Sequence, residues 1–389
     1  MFLNFAMAKK EIKILFISRA YPPIHGGIED QNYSLGEILK RLTPTKIIAN
    51  KKGKKNLPFF LFRLFWQLPF LLPKYDLILF GDGVLAPVGE FFQLFYKRQK
   101  FVSVIHGLDI TYAQQKTFFG KLYRFFNIPA LKNLDKLIMV GNHTIEEAVK
   151  AGIPRKKCVF IPNGVNIKKV YQPSSRQDLE NLLAKKTGKD ATYFQNKKIL
   201  LRAGRFVPHK GLHWFIKEVM PLLPTNYILV GAGGHNPKAI GDKENYTLCQ
   251  KYIREKNLAD RVVLFPNIPQ KEMNILFNTV DLYISPNIEI PGSMEGFGLN
   301  VLEAVVCERP VISADLQGLK DAIKNGVNGF LVKAEDVSAW KNKIEEVLSP
   351  TFDKQPFVKK AKEYTLDNFT WERIGEKYLD TLQQVVSAD

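Results

Sequence analysis

Residues 12–30 read IKILFISRAYPPIHGGIED, and the class of the fold is written into them. The first seven, 12–18, are apolar with no alternation. A strand buried on both faces of a parallel sheet has that pattern, because neither of its faces meets water. A loop with two adjacent glycines follows, and a helical period runs from about 28 to 42. Working outward, short apolar runs recur at 46–49, 77–80, 101–105 and 137–140, with helix-length stretches between them. Strands alternating with helices predict a doubly wound α/β domain.

A second series begins further on. Strands are expected at 199–202, 227–230, 262–265, 282–285, 310–313 and 329–332, with helices over 212–223, 247–257, 271–278 and 300–307. The expected architecture is therefore two Rossmann-like domains in tandem, with a ligand cleft at the carboxyl ends of their strands. The polar, basic segment 166–196 shows no strand pattern and is read as the interdomain passage. The domains are placed at 1–170 and 171–370. After a break at Pro350 and Pro356 comes an amphipathic final helix, placed at 371–389.

The chain has 389 residues, of which 46% are hydrophobic and 24% charged, so disordered, collagen-like and disulfide-scaffold classes are excluded. Three scattered cysteines fit a reducing compartment and no metal site. The net charge is +18, and it is uneven: +16 through Gln172 and +2 after it. Such a first half points at an anionic partner, nucleic acid or an anionic membrane. No helix-turn-helix, RNP or zinc pattern accompanies it, so no nucleic-acid partner is expected, although a basic nucleic-acid-binding protein is the rival from another class. The opening MFLNFAMAKK is a poor signal peptide, and no run reaches the roughly 20 apolar residues of a spanning helix.

Four constellations carry chemistry. Gly26-Gly27-Ile28-Glu29 follows the first strand, where a helix N-terminus makes an anion site. Gly204-Arg205-x4-Lys210-Gly211 follows the first strand of the second series, and its two cations can reach a diphosphate. Glu295-Gly296-Phe297-Gly298-Leu299, with Glu303 on the helix beyond, sets two carboxylates about a glycine-rich turn. His106-Gly107-Leu108-Asp109 closes the strand 101–105, at the end where α/β sheets bind ligands.

With PNGVN at 162–166, VGAGG at 230–234 and NFTWERI at 368–374, these motifs resemble family 4 of the retaining GT-B glycosyltransferases, bacterial mannosyl-, glucosyl- and galactosyltransferases among them. The resemblance runs over nearly the whole chain. It implies that Arg205 and Lys210 bind the donor diphosphate and that Glu303 holds the ribose. It implies that Glu295 and the backbone of Gly296, Phe297, Gly298 and Leu299 clamp the donor sugar. His106 would stand beside the reacting sugar, Gly27 would let the first domain close over the diphosphate, and the base would lie near Ile268. It also implies that the final helix crosses back to the first domain. The family often has Asp at Asn166, Gly at Asn267, and Ser or Thr at Gly141, so the base and sugar are left open.

There is no Asp-x-Asp and no metal-ligand spacing in the chain, so Arg205 and Lys210 are expected to take a metal's place, with no cofactor. The family implies retention by a front-face route. Three stretches, 58–73 (after Lys51, Lys52, Lys54 and Lys55), 91–101 and 116–126, mix Phe, Leu and Trp with Lys and Arg, the composition of interfacial helices. The expected enzyme is thus a cytoplasmic hexosyltransferase held peripherally at the inner membrane face. Its donor would be a nucleotide sugar (UDP-hexose ahead of GDP-mannose), and its acceptor a lipid-linked or cell-envelope glycan. Glu29 and Asp109 are the candidate acceptor-side groups, and a soluble acceptor is the alternative.

Overall fold

A computed structural model of the chain describes residues 11–24, 26–115, 117–237 and 241–388. The opening ten residues, read above for a signal peptide, lie outside these, as does Lys116 of the third aromatic–basic stretch. The chain forms two compact units.

The first unit runs to Gly164 and takes in the segment from Phe369 onward. Its elements are β1 (Ile14–Ser18), α1 (Gly27–Leu42), β2 (Thr45–Ala49), α2 (Leu57–Leu71), β3 (Leu77–Phe80) and α3 (Ala86–Gln93). There follow β4 (Lys100–Ile105), α4 (Leu108–Thr111), α5 (Phe118–Asn133), β5 (Lys136–Met139), α6 (Asn142–Lys150) and β6 (Cys158–Phe160). The sheet is parallel in the order β2-β1-β3-β4-β5-β6. Helix α1 has Glu29 and Asp30 in its first turn and Lys40 and Arg41 in its last, matching the helix dipole at both ends. Phe60, Leu64 and Leu68 of α2, Phe92 of α3 and Ile128 and Leu131 of α5 share one core with Ile78, Phe80, Phe101 and Leu137 of the sheet. Each such side chain removed from water contributes about 1.5–3 kcal/mol.

The second unit, Val165–Asn368, holds α7 (Ile167–Val170), α8 (Arg176–Thr187), β7 (Lys198–Ala203), α9 (Leu212–Trp214), β8 (Tyr227–Gly233) and α10 (Asp242–Glu255). It continues with β9 (Val262–Pro266), α11 (Gln270–Thr279), β10 (Leu282–Ser285), α12 (Leu299–Val306), β11 (Val311–Ala314), α13 (Leu319–Ala322), β12 (Phe330–Val332), α14 (Val337–Val347) and α15 (Lys354–Phe369). Its parallel sheet has the order β12-β11-β10-β7-β8-β9. The terminal helix α16 (Trp371–Ser387) belongs to the first unit, where Gly375 and Gly164 leave room for Ile38 and Trp371 respectively. A Cβ at either glycine would stand within 2.6 Å of those side chains. Both units are doubly wound α/β folds of the Rossmann type.

Four expectations need correction. Segment 166–196 is no passage but part of the second unit. Ser175 and Asp178 form a reciprocal capping box at the start of α8, and Arg176 Nη1 meets Asp281 Oδ2 at 3.0 Å. The first boundary lies at Gly164 instead of 170, because residues 165–170 pack into the second unit: Val170 is buried and its carbonyl accepts from Asn278 Nδ2 at 2.8 Å. The helix expected over 212–223 is one α turn, a π turn over Phe215–Val219 and a 3-10 turn over Met220–Leu222. Pro356 does not break the chain; it sits in the first turn of α15, where a missing N–H leaves no bond unmade.

Candidate functional site

In the second sheet the strand order reverses between β7 and β10, and open α/β sheets take ligands outside the carboxyl ends of strands at such a point. The loop after β7 carries Gly204, Arg205 and Lys210, and the segment after β10 carries Asn287, Glu295 and the glycine turn into α12. The structure joins the two. Lys210 Nζ forms an ion pair with Glu295 Oε2, and Asn287 Nδ2 donates to the same oxygen at 3.1 Å. The Glu295 N–H donates to Gln317 Oε1 at 2.7 Å, and its carbonyl accepts from the Gly318 N–H at 3.1 Å. Burial alone would raise the Glu295 carboxyl. The Lys210 ammonium and His209 outweigh it, with hydrogen bonds from Lys210 and Asn287, and hold it at about 2. Burial pushes Lys210 down, and Glu295 opposes that.

The loops can meet because of two glycines. Gly211 has φ +69°, and a Cβ there would lie 1.7 Å from the Pro286 carbonyl oxygen. Gly298 has φ +84° and caps α12, which therefore starts at Leu299, one residue before the expected Asn300. Gly296 is half-buried, while the Phe297 side chain is in the core, so only the backbone of the turn is available to a ligand. Arg205 is exposed, Glu303 is half-buried on α12, and Ile268 is half-buried just beyond β9.

His209 is buried, and its Nδ1 bonds Ser293 Oγ at 2.7 Å while its carbonyl accepts from the Ile288 N–H at 3.0 Å. Burial, with Lys210 beside it, lowers its ring to about 3, so it is neutral and pins the β10 segment to the Lys210 loop. His209, Asn287 and Gln317 form no motif in the sequence, because their roles depend on contacts across loops. Arg202 does leave a signal there, a cation inside the apolar run ILLRA.

The first sheet reverses between β1 and β3. Arg19, just after β1, bonds Asp82, just after β3, at 2.9 Å. Burial raises the Asp82 carboxyl while Arg19 opposes it. His106 follows β4. Its Nε2 lies 2.8 Å from the Gly81 carbonyl oxygen, which can only accept, so Nε2 carries the proton and Nδ1 keeps a lone pair in the neutral ring. The buried Asp109 accepts the His106 N–H on Oδ2 at 2.8 Å, so this oxygen fixes the histidine's backbone. Gly27 and the half-buried Glu29 begin α1. A Cβ on Gly27 would meet nothing within 4 Å, whereas one on Gly26 would strike Glu29 Oε2 at 2.2 Å, so the Glu29 carboxylate folds back over the helix start. Among the described residues no group of three His, Cys, Asp or Glu side chains is arranged to hold a metal ion.

The first unit also exposes an aromatic comb. Phe59, Phe62, Phe65, Trp66 and Phe70 of α2, Phe91, Leu94 and Phe95 of α3 and its end, and Phe118, Phe119, Leu122, Phe125 and Phe126 of α5 are 42–74% exposed. Phe65 touches Phe91, centroids 5.1 Å apart, Phe91 touches Phe95 at 5.4 Å, and α3 packs on α5. Arg63, Lys97, Arg98, Lys121 and Arg124 are exposed among them, and α2 and α5 contain no acidic residue. No described helix is long and apolar enough to cross a membrane.

Comparison with known proteins agrees in both halves. The family "Glycosyl transferases group 1" matches residues 185–364, and "Glycosyltransferase Family 4" matches residues 6–169. The chain is 28% identical over 320 residues to a trehalose synthase of Thermococcus litoralis, covering 80% of this chain and 70% of the relative. It is 24% identical over 371 residues to a poly(ribitol-phosphate) alpha-N-acetylglucosaminyltransferase of Staphylococcus aureus, covering 95% of this chain and 66% of the relative. The crystal structure of Anabaena HepE in complex with UDP matches with a TM-score of 0.73 at 18% identity, over 96% of this chain and 100% of that one.

Proposed function

Because the chain belongs to the GT-B glycosyltransferases of the family 4 type, we propose that it moves a hexose from a nucleotide-diphosphate sugar to a lipid-linked or cell-envelope glycan at the cytoplasmic membrane face. The proposed transfer retains anomeric configuration and needs no metal, and the donor is a UDP-hexose ahead of GDP-mannose. The structural neighbour HepE was solved with UDP, and the staphylococcal relative is named for transferring N-acetylglucosamine to poly(ribitol-phosphate), a polymeric acceptor.

The second unit serves the donor. Arg205 and Lys210 take the diphosphate, and the turn 296–299 at the head of α12 offers N–H groups to the same anion and the sugar. Glu295 holds a sugar hydroxyl, Glu303 the ribose, and the Ile268 loop the base. Breaking the anomeric C–O bond leaves negative charge on the departing diphosphate. Fixed cations and a helix N-terminus facing that charge stabilise the transition state without reorganising, an effect worth several kcal/mol. In the first unit His106 acts on the reacting sugar with its Nδ1 lone pair. Glu29 and Asp109 stand on the acceptor side, and Gly27, with open space at its Cα, admits the diphosphate.

The observation that supports the membrane reading is the aromatic comb. Large apolar side chains so exposed, fringed by cations, suit the headgroup layer of an anionic leaflet. Each Lys or Arg near that surface adds about 1 kcal/mol. Flotation of the protein with vesicles of phosphatidylglycerol and phosphatidylcholine tests it. Co-flotation that rises with the anionic fraction supports the reading. A protein that stays in the soluble fraction at every composition favours the soluble-acceptor alternative.

A further inference from the structure

Arg202 lies at the switch point of the second sheet, and none of the roles above uses it. It is 1% exposed in β7, the one charged residue of the buried run 199–203. Its Nη1 donates to the Gly204 carbonyl at 2.7 Å and its Nη2 to the Arg205 carbonyl at 2.9 Å. Both partners are carbonyls and carry no net charge. Among the described residues no carboxylate pairs with Arg202. The charges that act on it include Glu295, which Lys210 already engages, and Arg205, which has the same sign. A Cβ on Gly204 would lie 3.6 Å from Asn300 Nδ2 and 3.8 Å from Arg202 Nη1, so the guanidinium sits close to the first turn of α12, whose dipole also favours an anion.

An ion buried without a counter-ion is costly, and an apolar residue at this strand position would avoid the cost. The charge therefore calls for a partner that comes from outside. We propose that Arg202 is a positioning residue and a buried counter-charge for the donor's diphosphate. Its two carbonyl bonds set the Gly204–Arg205 turn, and its charge lies beneath the loop that meets the phosphates. The proposal rests on the reading of this unit as a nucleotide-sugar site.

The test titrates the full chain, as wild type, Arg202→Met and Arg202→Lys, with a nucleoside, its monophosphate and its diphosphate. The base is whichever of uridine, guanosine or adenosine the wild type binds as diphosphate. Unliganded melting is measured alongside. The expected result is that Arg202→Met melts at or above the wild-type temperature without ligand. Its diphosphate affinity falls on the order of tenfold, its monophosphate affinity falls less, and its nucleoside affinity does not change. Arg202→Lys recovers part of the loss. Equal weakening of all three ligands, no weakening, or a lower unliganded melting temperature makes Arg202 a structural tie and overturns the proposal. A wild type that binds none of the diphosphates removes the donor-site reading itself, and this inference with it.

Discussion

Lys210 and Glu295 form an ion pair with only 14% and 12% of their side chains exposed. Removing either partner leaves a charge where water is scarce. Lys210→Met is expected to cost about 3–5 kcal/mol of stability in urea unfolding, and Lys210→Met with Glu295→Gln less than that, because no ion is then stranded. Neither variant is expected to keep activity, with turnover falling on the order of a hundredfold in a nucleoside-diphosphate release assay. The same neighbourhood sets a pH dependence. Glu295 and His209 titrate at about 2 and about 3, below their ordinary 4.5 and 6.5. In both cases the unfolded chain binds its proton first as the pH falls. Their stabilisation is therefore complete above pH 6.5. His209's share is lost from 6.5 down towards 3, and Glu295's from 4.5 down towards 2. Unfolding measured across this range should lose about 1.4 kcal/mol per pH unit for each group titrating. His209→Gln should flatten the part between 6.5 and 4.5. At this scale the sequence was partly legible. Lys210 and Glu295 were visible as members of separate motifs, but their pairing spans 85 positions and follows from the fold. His209 read as one more polar residue of a loop, since a histidine's burial leaves no mark on its neighbours in the chain.

At the scale of elements, α2 uses its two faces differently. Phe60, Leu64 and Leu68 enter the core, while Phe62, Trp66 and Phe70 face solvent. Replacing these last three by Ser should change stability by no more than about 0.5 kcal/mol per site, because exposed side chains contribute little to folding. The same variant should lose flotation with anionic vesicles. A large drop in melting temperature would show that the comb is packed against the protein. Turns are the opposite case. Gly211→Ala should destabilise the second unit by more than about 1 kcal/mol in thermal unfolding, because the new Cβ would sit 1.7 Å from the Pro286 oxygen in a left-handed conformation. Period and apolarity made most strands readable: 77–80 and 282–285 coincide with β3 and β10. Strand β6 escaped because Cys158–Phe160 is too short to show a period and follows three basic residues. Helix α8 escaped because its polar composition resembles a linker, although its capping box was in the sequence as Ser175 and Asp178.

At the scale of the whole molecule, the division of charge follows the division of labour we propose. The chain through Gln172 carries +16 and presents the comb, while the remainder carries +2 and presents the paired site of Lys210 and Glu295. The two Rossmann-like sheets were legible because parallel strands buried on both faces leave long apolar runs. The side chains behind the site loops were not, because their partners are set by topology. The most direct test is a thermal-shift titration of wild type and Glu303→Ala with UDP, GDP and ADP and their common sugars, in the presence of a metal chelator. The account predicts stabilisation by UDP and a UDP-hexose in the wild type, unaffected by the chelator and lost in Glu303→Ala. Absence of a shift with every nucleotide, or an equal shift in both proteins, would contradict it.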